Sequence, residues 1–143
     1  MQRSTYTPWG PSESQTPHGE IVFHSTASHG GFHVPAHLLA TMPPAVLHAT
    51  YNSLGLTGWF EEDVDANYVV SFFRDLFPRA DVLRATENLR LDLSWAKRNA
   101  EEHGGAAYKS RYRAKVAALN ALRMAQGATV PKGWESADTT LYA

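Results

Sequence analysis

Residues 21–35 read Ile21-Val22-Phe23-His24-Ser25-Thr26-Ala27-Ser28-His29-Gly30-Gly31-Phe32-His33-Val34-Pro35, and the fold turns on how they are parsed. Glu20 to His24 reads as a strand that breaks into a polar turn. Phe32-His33-Val34 returns as a second short strand, which makes a β-hairpin. The Gly30-Gly31 pair is expected to supply positive φ where the backbone folds back. Pro35 suits the first position of a helix, where its missing N–H would have no partner anyway. The chain therefore changes from strand to helix at residue 35, and the expected class is α+β and helix-rich.

Before the hairpin, residues 1–19 contain Pro8, Pro11, Pro17, Gly10 and Gly19, and are expected to form an irregular arm. Tyr6 and Trp9 would pack that arm onto the domain. After the hairpin, Ala36 to Thr41 reads as a short helix, stopped by Pro43-Pro44, and Ala45 to Asn52 as another. Gly55 and Gly58 mark a turn before Trp59-Phe60. The acidic run Glu61-Glu62-Asp63-Val64-Asp65 stands at a helix N-terminus, where the helix dipole favours carboxylates. Tyr68, Val69, Phe72, Phe73 and Leu76 follow at helical spacing, and Pro78 ends that helix.

Beyond Pro78 the pattern is wholly helical. Val82, Thr86, Leu89, Leu93, Ala96 and Ala100 form one stripe; Tyr108, Tyr112, Val116, Leu119 and Leu122 form a second. Gly104-Gly105 separates them as a helix C-cap would, which predicts a long C-terminal helical hairpin. We expect one domain over 1–143: an α/β part at 6–78, the hairpin at 79–126, and a tail at 127–143 anchored by Trp134 and Tyr142.

Cysteine is absent, which excludes disulfide frameworks and thiolate chemistry and suits a reducing compartment. Neither a signal-peptide h-region nor a run of membrane-spanning length is present, so a soluble protein of the cytoplasm, with no membrane partner, is expected. The net charge of −1 conceals an asymmetry: residues 1–70 hold one base and six acids, and the remaining 73 hold twelve bases and eight acids. Such a split means either two partner surfaces or one half docking on the other.

The order Tyr6-Thr7-Pro8-Trp9-Gly10, Ser25-Thr26-Ala27-Ser28-His29-Gly30-Gly31-Phe32, Met42-Pro43, Trp59-Phe60-Glu61-Glu62-Asp63 and Phe77-Pro78 resembles an uncharacterised bacterial domain family of plasmids, phages and integrated elements. That family's signature is similar to ST-x-x-HGG followed by W-[YF]-EED. The resemblance covers about residues 6–78 and leaves 79–143 outside it. It implies a mobile-element context and no established activity. The chain departs from the pattern at Val64-Asp65-Ala66-Asn67, where a Cys-acid-Trp triplet is more typical.

Four constellations carry possible chemistry. His24, His29 and His33 with nearby carboxylates have the residue types of a zinc or iron site, but H-x4-H-x3-H is not a usual ligand spacing, and neither metal nor cofactor is expected. His24-Ser25-Thr26 and His48-Ala49-Thr50 match the H-x-[ST] tripeptide of two-histidine phosphoesterases, although only 24 residues separate them. His29 oriented by Glu61, Glu62 or Asp63 could act as a general base; alternatively those carboxylates cap the next helix and bond the Gly30-Gly31 turn. Lys109, Arg111, Arg113 and Lys115 form i,i+4 pairs on one helix, either a contact surface or its solvated side.

The expectation is a non-enzymatic binding protein encoded by a phage or plasmid, an inhibitor of a bacterial defence complex of the anti-CRISPR type. Its partner would be a host protein or nucleoprotein complex, with nucleic acid itself less favoured. The binding residues would be Ser25, Thr26, His29, Gly30, Gly31, Trp59, Glu61, Glu62, Asp63, Lys109, Arg111, Arg113 and Lys115. The alternative is a small metal- or His-dependent hydrolase, such as a phosphoesterase, that uses His29 with Glu61, Glu62 and Asp63.

Overall fold

The computed structural model describes residues 6–125; the expected tail with Trp134 and Tyr142 lies outside them. The class is α+β. Two short strands, β1 (Tyr6–Thr7) and β2 (Gly10–Pro11), pair with each other. Four more, β3 (Ser14–His18), β4 (Ile21–Ser25), β5 (Gly30–His33) and β6 (Trp59–Glu61), form an antiparallel sheet in sequence order. The arm is therefore not irregular as expected. Its second half adds β3 at the edge of the sheet, where Pro17 is tolerated because one side of the strand needs no ladder donors.

Between β5 and β6 lie α1 (Ala36–Leu39), α2 (Pro44–Ala49) and a 3₁₀ turn at Tyr51–Leu54. The helix expected over 45–52 ends early, because Thr50 takes an extended conformation with φ −113° and ψ 177°. Then come α3 (Asp65–Phe72), α4 (Arg79–His103) and α5 (Ala106–Ala125). Gly104, at φ 67°, caps α4 in the left-handed conformation and lets the chain reverse into α5.

The pleat sorts the sheet into two faces. Phe23, Phe32 and Phe60 stand side by side in register and, with Ile21, meet the helices. From there one apolar core runs through Tyr68 and Val69 of α3, Leu89 and Leu93 of α4, Leu119 and Leu122 of α5, and Val46 of α2. Sequential packing of α3 on α4, α4 on α5 and α5 on α2 wraps the hairpin around the small α/β part. Burial of these side chains is worth about 1.5–3 kcal/mol each.

The stripe expected on α4 is buried from Thr86 to Ala100, whereas that of α5 is buried only from Ala118 to Leu122, and Tyr108 is exposed. One member of the α4 stripe is polar. The Thr86 hydroxyl is buried and has no hydrogen-bond partner among the described residues. Thr86→Val keeps the shape and removes the desolvation cost, so it should stabilise the fold by about 1 kcal/mol. A higher midpoint in a urea melt, with an unchanged slope, checks this.

Candidate functional site

The signature residues converge, though not in the way their chemistry suggested. Thr26 closes the β4–β5 turn: its N–H and hydroxyl both donate to the His29 carbonyl at 2.7 Å, and its Oγ1 accepts the His29 N–H at 3.0 Å. Ser25 pairs with Gly30, and Gly31 with Glu61, so the two motifs meet as neighbouring strands. The Glu62 N–H donates to the Gly30 carbonyl at 2.9 Å. The motifs thus hold one another by backbone pairing, not by carboxylates bonded to the glycine turn.

Gly30 and Gly31 have ordinary strand conformations, contrary to the positive φ expected of them. Their reason is close approach. A Cβ on Gly31 would lie 2.5 Å from the Trp9 indole and 2.7 Å from the Phe60 carbonyl oxygen; one on Gly30 would lie 2.8 Å from the Phe23 ring and 3.1 Å from Glu62 Oε1. Trp9 reaches Gly31 across the sheet's outer face, where it meets Trp59 edge-on at 5.9 Å. His24 and His33 flank Trp59 at 5.3 and 4.7 Å, and His24 Nδ1 is 2.9 Å from Ser12 Oγ. Tyr6, expected to anchor the arm beside Trp9, is exposed.

Burial lowers the pKa of both histidines, and the charge of His33 lowers that of His24 further. A depressed histidine pKa stabilises the fold while the ring is neutral. The contribution is full above the unfolded value of about 6.5 and is lost as pH falls through the lower folded values. The melting temperature should therefore drop between pH 7 and pH 5, with a shallower slope for His24→Gln.

His29 is exposed, and no hydrogen bond or ion pair joins its ring to Glu61, Glu62 or Asp63. The Glu61 carboxylate instead accepts the Val64 N–H at 3.0 Å, at the start of α3. Glu62 and Asp63 are exposed. Among the described residues no group of three or more His, Asp or Glu converges to hold a metal ion. His48 belongs to α2, far from a strand setting.

On α5, Lys109, Arg111 and Arg113 are exposed, and the Arg111 guanidinium lies 6.0 Å from the centre of the Tyr108 ring. Lys115 departs from the expected exposed stripe. Its side chain is 11% exposed and forms an ion pair with Asp92 of α4, so it is committed to the fold.

Arg111 and Lys115 lead to the site that the sequence did not reveal. With Glu61 they line a cleft of about 450 Å³ bounded by α2, the 3₁₀ turn, the β6–α3 junction, α4 and α5. Asp92, Trp95, Ala96 and Asn99, at helical spacing, form its α4 wall, and His48, Tyr51, Leu54 and Asp65 the opposite side. Asp65, 5% exposed, accepts the Tyr51 N–H through Oδ2 at 2.9 Å. Its pKa is pushed up to about 6, chiefly by burial, against the Tyr51 bond and with the Glu61 charge adding to the rise. Trp95 is 60% exposed at the rim, with Tyr51 and Leu54 also exposed. One signal was legible: Trp95 lies off the apolar stripe of its helix, where a tryptophan needs another reason.

Comparison with curated proteins and with solved structures returns no match. Among family descriptions, a domain of unknown function, DUF7007, matches residues 2–120. The match runs well past residue 78, so the helical hairpin belongs to the family's domain and is not an addition to it. The chain is a member of the DUF7007 family.

Proposed function

We propose that this protein acts by binding and not by catalysis: a phage- or plasmid-encoded domain that works in the bacterial cytoplasm and inhibits a host defence complex of the anti-CRISPR type. The observation that carries the reading is the cleft rim, where exposed Trp95, Tyr51 and Leu54 stand beside Arg111. Tryptophan, tyrosine and arginine are the residues that dominate binding energy at protein interfaces. The signature residues support the same reading, since Thr26, Gly30, Gly31, Trp59 and Glu61 each have a structural task. The hydrolase alternative needs His29 engaged with Glu61, Glu62 or Asp63, and its ring bonds to none of them.

The partner is a protein or nucleoprotein surface. Nucleic acid alone is less favoured, because Lys115 is withdrawn from the basic stripe by Asp92. A host carrying the relevant defence system supplies the test. Trp95→Ala and Arg111→Glu should abolish protection of the invading element, while His29→Ala retains it. Full protection by both rim variants, with loss in His29→Ala, would overturn the binding reading.

A further inference from the structure

Elsewhere on α4 arginines pair with the acids beside them: Arg84 with Asp81 and Arg90 with Glu87. Arg98 does not. Glu101 and Glu102 follow it at i+3 and i+4, yet its guanidinium lies over the Trp95 ring, 5.0 Å from the centroid. Arg111 on α5 repeats the arrangement with Tyr108 at 6.0 Å, and His103 stacks on that same ring at 4.6 Å. Neither arginine has an ion-pair partner among the described residues. Trp95 and Arg111 share the cleft, so Arg98, Trp95, Arg111, Tyr108 and His103 form one exposed band from the cleft to the end of the helical hairpin. Of the cleft's acids, Asp92 is matched by Lys115, and Glu61 and Asp65 receive backbone N–H groups. Residues 97–113 hold five bases against two acids, so the band lies in a positive surrounding.

We propose that this band is the contact for a single-stranded nucleic acid, with Arg98 and Arg111 on its phosphates and a base stacked on Trp95. A guanidinium lying on a ring keeps its N–H edge free, and that edge donates to phosphate oxygens. Trp95 stays 60% exposed with Arg98 over it, so indole surface remains for a base. A single strand offers both phosphates and open base faces, whereas a duplex keeps its bases stacked inside. The band does not use Lys115, whose pairing with Asp92 weakens the basic stripe of α5 as a phosphate contact. The proposal rests on the binding reading above and names the part of a nucleoprotein partner that the rim touches.

The full chain is added to a fluorescein-labelled oligo-dT of about twelve nucleotides, and fluorescence anisotropy reads the complex. The expected Kd is about 10 μM at about 50 mM salt. With two phosphates held, affinity should fall about sevenfold between about 50 and 200 mM salt; Arg98→Gln or Arg111→Gln, with one phosphate left, should reduce that fall to about threefold. Trp95→Ala should weaken binding about fivefold or more, and a duplex of the same length should bind less tightly by a similar factor. Arg84→Gln, which removes the same charge from the far end of α4, should leave affinity within about twofold. The same titration with oligo-U distinguishes sources: a tighter complex assigns RNA, a weaker one DNA, and parity a contact blind to the sugar. No complex at about 50 mM salt, equal binding of the duplex, or unchanged binding in all three band variants would overturn the proposal. So would displacement of the strand by poly-L-glutamate at equal charge, which would assign the band to an acidic protein. The salt series on the native chain decides even if a variant fails to fold. The titration needs no host partner: its failure beside loss of protection in the rim variants removes the strand and leaves the binding reading standing.

Discussion

Gly31→Ala is expected to destabilise the protein by about 3 kcal/mol, among the largest losses from adding one methyl group to this chain. The added carbon would sit 2.5 and 2.6 Å from two Trp9 indole atoms and 2.7 Å from the Phe60 carbonyl oxygen. The carbonyl belongs to the β5–β6 ladder and cannot retreat without opening it. The indole is held edge-on against Trp59, so its displacement would also disturb the stacking of His24 and His33. Gly30→Ala is the informative companion. Its new carbon meets the Phe23 ring and the end of the flexible Glu62 side chain, both of which can move, so it should cost about half as much. Denaturant melts of the two variants, followed by tryptophan emission, check the order. Equal losses would mean that the sheet face is softer than its packing indicates.

Asp65→Asn is expected to stabilise the fold by about 2 kcal/mol at pH 7.5. A carboxyl whose pKa rises from 3.8 to about 6 is held more tightly as the neutral acid by the folded protein. Its stabilising contribution is therefore full below about pH 3.8 and is lost as pH rises through about 6; above that the charged form weighs against folding. The amide carries no charge and still offers an oxygen to the Tyr51 N–H. The advantage of the variant should shrink as pH falls from 7 toward 4, which is opposite in sign to the acid lability of the histidine cluster. Thermal melts of the two proteins across that range provide the check. A constant difference, or destabilisation at neutral pH, would show that Asp65 is paired within the fold. A group kept at a cost to stability is what a binding site entails, since burial and like charge are arranged there for a ligand.

The sequence by itself determined the central hairpin and the long helices. The apolar run Ile21-Val22-Phe23 with its return at Phe32, the stripes from Thr86 to Ala100 and from Val116 to Leu122, and Gly104 after the first of them specify strands, helices and their reversal through local pattern. It also marked the two motifs that become neighbouring strands, because side chains at such positions answer to the backbone beside them. The glycine reading went astray because a glycine needed for positive φ and one needed for close approach look alike until the approaching group, here Trp9 from 22 residues earlier, is in place. The strand of Ser14–His18 was hidden for a related reason. Its residues are mostly exposed at an edge, so no buried face imprints an apolar alternation on them. The cleft was decided by tertiary structure alone. Glu61, Asp65, Asp92, Trp95 and Arg111 come from four separate segments, and only the packing of α4, α5 and the β6–α3 junction brings them to one cavity. Burial at that junction also made an ordinary first-turn aspartate into an acid with a pKa of about 6, because desolvation depends on what surrounds a carboxylate and not on its neighbours in sequence.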